Sequence, residues 1–259
     1  MFAVAPRLRD VRLSHLIRWS VRISLPWHQI TRYKGDAYTV QATHILALAP
    51  NIEECTLIDN DAPAIPLTHR LHTLHIVNSP VSVITPPTLN VLTLPALQSL
   101  RLPAAPPLLD AAAALLVRSD APLAALTVDN FAPTGYSEPI MALLAAAPSV
   151  RTLTLLGRVA QPEQTAAFFS ALGPLLPRLQ RLTLCGVAFG ESFVGWLESR
   201  CAAAGADTDG LVHTARLEAL SIADVHETHI AHLLRVRELA AAGTLELEDN
   251  GLAAVRVLA

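Results

Sequence analysis

Two octets set 29 residues apart constrain this chain more than anything else in it: PSVRTLTL at 148–155 and PRLQRLTL at 177–184. Both read Pro-x-apolar-x-x-Leu-x-Leu. Alternation in x-Leu-x-Leu sends the two leucines to one side of an extended chain and the residue between them to the other. A proline two residues ahead of the first apolar position ends the preceding helix. It also donates no ladder hydrogen bond, which suits a strand entrance. Such a segment buries only one face, so it needs neighbours of the same kind.

The neighbours are present. Copies stand at 6–13 (PRLRDVRL), 50–57 (PNIEECTL), 69–76 (HRLHTLHI), 95–102 (PALQSLRL) and 122–128 (PLAALTV), with later ones at 215–222 (ARLEALSI) and 244–247 (TLEL). From residue 71 the first apolar positions fall at 71, 97, 123, 150, 179, 217 and 245, giving intervals of 26, 26, 27, 29, 38 and 28. Repeats of roughly 20–29 residues with one strand and one helix are leucine-rich repeats. Cys55 occupies a consensus leucine position and is read as core. The polar segment 205–214 (GADTDGLVHT) accounts for the one long interval.

The linking segments read as helices. Leu109, Ala112, Ala113, Leu116 and Val117 share one helical face, and Ser137 caps a helix running to Ala147 with Pro139 in its first turn. A third, with Phe168, Ala171 and Leu172 as its stripe, stops at Gly173-Pro174. Phe193, Trp196, Leu197 and Cys201 form a fourth stripe, and 226–242 turns Ile230, Leu233 and Leu234 inward. The expected fold is α/β: a leucine-rich-repeat solenoid with a curved parallel sheet on the concave side and helices on the convex side. It forms a single domain over 1–259, with irregular repeats at 1–49, regular ones at 50–247 and a C-terminal tail at 248–259. In the irregular part, 25–33 (LPWHQITRY) is read as a degenerate strand with Trp27 and Ile30 inward; Leu89–Leu94 (LNVLTL) is read as an irregular helix-side segment. The first copy starts at Pro6, which leaves almost nothing for a polar cap: either more chain lies upstream or 1–13 is itself a poorly packed cap.

Composition narrows the function classes. A chain that is 52% hydrophobic still has no apolar run near the roughly 20 residues of a membrane span. The apolar excess is therefore internal. A net charge of −3 without blocks of like charge argues against nucleic acid or an acidic membrane as partner. Three cysteines without C-x-x-C spacing suggest neither a disulfide framework nor a zinc module, and point to a reducing intracellular compartment, cytoplasmic or nuclear.

No catalytic, cofactor or metal set assembles from the motifs. His226, His229 and His232 in HETHIAH are three apart rather than in the H-E-x-x-H arrangement, and read as a solvated helix flank. His69, His72 and His75 lie at a strand entrance, with alternation sending His72 and His75 to opposite faces. GESFVGW (190–196) lacks the lysine and spacing of a phosphate loop. The outward residues of the octets define a stripe instead: Arg12, Thr56, His75, Arg101, Thr127, Thr154, Thr183, Ser221 and Glu246, flanked by Glu54, Ser99, Thr152 and Arg181. Arg101 and Arg181 are the side chains of the type that anchors interfaces. The threonines serve either contact or strand propensity. Asp129, Phe131 and Tyr136 in the loop 129–136, and Phe189 in 185–190, either reach a partner or plug the ends of the core.

The order and spacing of SLPWHQITRYKG (24–35), LALAPNIEECTL (46–57), LTLPALQSLRL (92–102), the PL-x-x-LT-type strand at 122–128 and LLPRLQRLTL (175–184) resemble the repeat region of fungal F-box proteins. The resemblance spans about residues 6–247. It implies a substrate-recognition role in a ubiquitin ligase, the repeats presenting a target protein while an F-box docks on the ligase adaptor. Leu25-Pro26 is followed by Trp27-His28-Gln29 and no apolar helix, so the F-box itself is missing and an adaptor is expected only if an F-box lies upstream. The expected function is a non-catalytic protein-interaction scaffold with an unknown protein partner on the concave face or adjoining loops. A small-molecule-binding repeat receptor and a truncated remnant without function are the alternatives.

Overall fold

Every octet ends in a strand. The computed structural model describes residues 7–13, 25–35, 42–58, 65–77, 87–131, 137–157, 162–202, 215–223, 230–241 and 246–247. The chain divides into two compact units, Met1–Leu123 and Ala124–Ala259.

In the first unit the strands are β1 (Asp10–Leu13), β2 (Arg32–Gly35), β3 (Glu54–Ile58), β5 (Thr73–Val77) and β7 (Ser99–Pro103), all parallel and hydrogen-bonded in that order. Helices α1 (Ala42–Leu48), α2 (Pro87–Val91) and α3 (Pro106–Ser119) lie between or after them. The second unit runs β8 (Ala125–Phe131), α4 (Ser137–Ala145), β9 (Thr152–Gly157), α5 (Pro162–Leu175), β10 (Arg181–Cys185), α6 (Glu191–Ala202), β11 (Ala219–Ala223), α7 (Ile230–Ala241) and β12 (Glu246–Leu247). Its five strands are also parallel and paired in chain order. Each unit is thus an α/β fold built on an open parallel sheet.

The first apolar residue of the octet closes a turn. The amides of Ile30, Ile52, Leu97, Val150 and Leu179 donate to the carbonyls of Trp27, Ala49, Leu94, Ala147 and Leu176, three residues back. Pro50, Pro95, Pro148 and Pro177 occupy the second position of such turns, where the fixed φ of proline is pre-set. The residue two places after the first apolar one starts the ladder. Between them, one carbonyl per strand takes two amides of the next: Arg9 from Thr31 and Arg32, Thr31 from Glu53 and Glu54, Glu53 from His72 and Thr73. The second unit repeats this with Ala124, Arg151 and Gln180 as acceptors.

Register aligns the inward residues into columns. Val11, Tyr33, Cys55, Leu74 and Leu100 stand side by side in the first unit, and Leu126, Leu153, Leu182 and Leu220 in the second, all at 6% exposure or less. Burial drives the Cys55 thiol far above its ordinary range, which keeps it protonated. The irregular N-terminal repeat obeys the same octet, placed a few residues later than expected. Ile30 and Tyr33 are buried, but Trp27 sits half-buried in a 3-10 turn (Trp27–Gln29), and the strand is 32–35. Gly35 stands where other copies carry leucine, isoleucine or valine. A Cβ there would collide with the Tyr33 hydroxyl. The large tyrosine fills the slot that its neighbour leaves empty.

Several helix expectations need correction. Val117 is 72% exposed, because α3 turns Leu108, Ala111, Leu115 and Ser119 inward beside Leu109, Ala112 and Leu116. Leu234 is 54% exposed while Leu233 and Val236, one turn apart, are buried. α5 runs through Pro174 to Leu175, since a proline in the last turn forfeits a single hydrogen bond. Leu89–Leu94 is not merely irregular: β6 (Leu92–Thr93) pairs in parallel with β4 (Leu67–Thr68) as a separate two-stranded sheet. Arg118 secures it by donating to the carbonyls of Leu89 (2.7 Å) and Leu92 (2.9 Å), and the Leu94 amide donates to Ser119 Oγ. The segments 205–214 and 248–259 lie outside the described residues.

Candidate functional site: the exposed face of the parallel strands

The residues between the inward columns form columns of their own. In the first unit the central outward column is Arg12, Lys34, Thr56, His75 and Arg101. Beside it run Asp10, Arg32, Glu54, Thr73 and Ser99. Two ion pairs tie this surface together, Arg32 to Glu54 across adjacent strands at 3.3 Å and Arg12 to Asp10 at 3.8 Å. All four side chains are about half exposed or more, so the pairs orient groups rather than add much stability. The second unit presents Thr127, Thr154, Thr183 and Ser221, flanked by Thr152, Arg181 and Ala219. The hydroxyl column is neutral and half-buried to buried, with Arg181 exposed at its side.

The predicted contact residues separate into two groups. Arg101, Arg181, Thr127, Thr154 and Thr183 take their places on the outward columns, and Asp129 follows Thr127 at the end of β8, half-buried. Phe131 and Phe189 do not face outward: they are 1% and 0% exposed and plug the core. The cause at Phe131 is a bulge. Asn130 adopts φ 55°, the register slips between Asp129 and Phe131, and the extra residue turns the ring inward. Phe131 meets Phe168 at 5.1 Å and Phe189 meets Phe193 at 5.1 Å between ring centres. Tyr136 lies outside the described residues. Glu246 pairs with Ala219, which pairs with Arg181, so it belongs in the flanking register and not in the central column. Lys34 is the residue that sequence reasoning missed. Its signal was legible in Ile30-x-x-Tyr33-x-Gly35, had glycine been admitted at the last core position.

Buried polar groups serve the scaffold. Arg200 is 3% exposed and donates to the carbonyls of Ala215 (3.0 Å), Pro177 and Leu176, with its guanidinium 5.8 Å from the Trp196 ring centre. Desolvation lowers its pKa from the ordinary value. It plays in the second unit the part that Arg118 plays in the first, binding carbonyls of neighbouring segments. His69 is 4% exposed; Nε2 lies 3.2 Å from the Ala49 carbonyl and Nδ1 has no partner among the described residues. Burial lowers its pKa, only partly offset by that hydrogen bond. His72 immediately precedes β5 and is exposed, while His75 lies within the strand, half-buried. His226 and His229 lie outside the described residues, and His232 approaches Glu191 at 3.7 Å. Among the described residues no group of three or more His, Cys, Asp or Glu side chains could hold a metal ion, and no helix is long and apolar enough to cross a membrane.

Set against known proteins, the chain matches no family model and no curated protein.

Proposed function

We propose that this chain is a leucine-rich-repeat solenoid acting as a non-catalytic protein-interaction scaffold, similar in role to the substrate-recognition repeats of an F-box ubiquitin-ligase receptor and working inside the cell. The observation that supports it is the register: successive octets align their outward residues into continuous columns on a face that carries side chains of contact type. Within the first unit, Arg12 and Lys34 offer cations on adjacent strands and Arg101 offers another three strands on, a surface that favours an acidic segment of a partner. Within the second, Arg181 stands beside a hydroxylic column suited to hydrogen bonding. A ligase adaptor enters this reading only through an F-box on a longer relative.

The test is binding by charge-reversed variants of the full chain to partners first identified by affinity capture and then purified. Arg12→Glu with Arg101→Glu, and separately Arg181→Glu, report on each face. Loss of binding to a purified partner, with unchanged thermal unfolding, supports the reading; undiminished binding by both variants overturns it.

A further inference from the structure

The strand entrances of the first unit enclose an open cavity of about 610 Å³, and its walls come from equivalent places in successive repeats. Arg9, Thr31, Glu53 and His72 are the residues whose carbonyls each accept two amides from the following strand. Their backbones are held by that ladder, so the side chains they carry project from a fixed base. His28, Gln29, Asn51 and Arg70 add polar wall from the turns, where the Asn51 side chain ties one turn to the next by donating to the His28 carbonyl.

The charge of this wall is unbalanced. Arg9 and Arg70 supply two guanidinium groups and Glu53 the only carboxylate. Among the described residues neither arginine has a carboxylate within ion-pair distance. A cation would be repelled, and no Phe, Tyr or Trp lines the space to stack a nucleobase. Guanidinium forks match tetrahedral oxyanions through paired hydrogen bonds. The volume is about twenty times the share of one water in the liquid, which leaves room for the group that an oxyanion is attached to.

We propose that this strand-entrance cavity binds a doubly charged oxyanion of the phosphate-monoester class, held by Arg9 and Arg70 and opposed by Glu53. The proposal is independent of the interaction reading, since it concerns a small ligand at the strand entrances and not the outward columns. The full chain is titrated calorimetrically with inorganic phosphate and with phenyl phosphate, with acetate at equal ionic strength as the control. Saturable binding of the phosphate probes is expected, weakened about tenfold in Arg9→Gln and in Arg70→Gln. Glu53→Gln strengthens it, a change that loss of folding cannot mimic. No saturable heat with either phosphate probe, equal affinity for acetate, or undiminished binding by the Arg9→Gln/Arg70→Gln double variant would overturn the proposal.

Discussion

The two units follow one octet and fill it differently. The second packs a run of rings: Phe131, Phe168, Phe169, Phe193, Phe189 and Trp196 are linked pairwise at 4.7–6.5 Å between centres. Its strand exits are correspondingly tight. Gly186 has φ +62°, and a Cβ on Gly157 would meet Val187 at 2.8 Å and the Phe131 carbonyl at 2.9 Å. The first unit is packed mainly by aliphatic side chains, carries the Tyr33–Gly35 exchange, buries a histidine and leaves a polar cavity at its strand entrances. The outward column is neutral in the ring-packed unit and charged in the aliphatic one, so one octet supports two different surfaces.

The strongest way to break this contrast is to remove a ring. Phe193→Ala is expected to cost about 3–5 kcal/mol, because its neighbours collapse only in part around the space; urea unfolding measures it, and a loss below 1 kcal/mol would deny the aromatic run its importance. Next comes the exchange in the first unit. Gly35→Ala alone should lose about 1–3 kcal/mol by overpacking against Tyr33. Tyr33→Leu with Gly35→Ala should recover much of that loss, and additivity in the double-mutant cycle would contradict a shared slot.

A smaller effect is expected from acid. His69 binds a proton less readily when folded than the ordinary imidazole near pH 6.5, so the unfolded chain is protonated first. Its contribution is complete above about pH 6.5 and declines below it, until the lower folded value is passed. His69→Gln should flatten the dependence of Tm on pH between 7 and 5; an unchanged slope would assign the acid limb to other groups. The smallest effect is the Arg32–Glu54 pair. A cycle with Arg32→Ala and Glu54→Ala should yield a coupling of about 0.2–1 kcal/mol that fades in salt.

Strand positions were legible because alternation and the leading proline act within eight residues. The leucines at 153, 155, 182 and 184 face the core wherever the octet is placed, and Cys55 joined them by position alone. The N-terminal copy was half legible: Ile30 gave it away, but a glycine at a leucine position hid the strand, and with it Lys34. Helix faces were read with the right period and the wrong phase at Val117 and Leu234, since periodicity does not say which neighbour a helix meets. The contact residues Arg101 and Arg181 followed from alternation, whereas Phe131 did not, because one left-handed residue, Asn130, reverses the parity of everything after it in the strand.

By itself, then, the sequence determined a recurring strand with one apolar side, since that depends on interactions between residues near in the chain. Only the tertiary structure decided which strand entrances converge on a cavity, how Tyr33 and Gly35 share one space, and which carbonyls Arg118 and Arg200 reach. Those outcomes are set by how each repeat is filled and not by the octet common to all of them; the two arginines, for example, reach carbonyls 29 and 15 positions away.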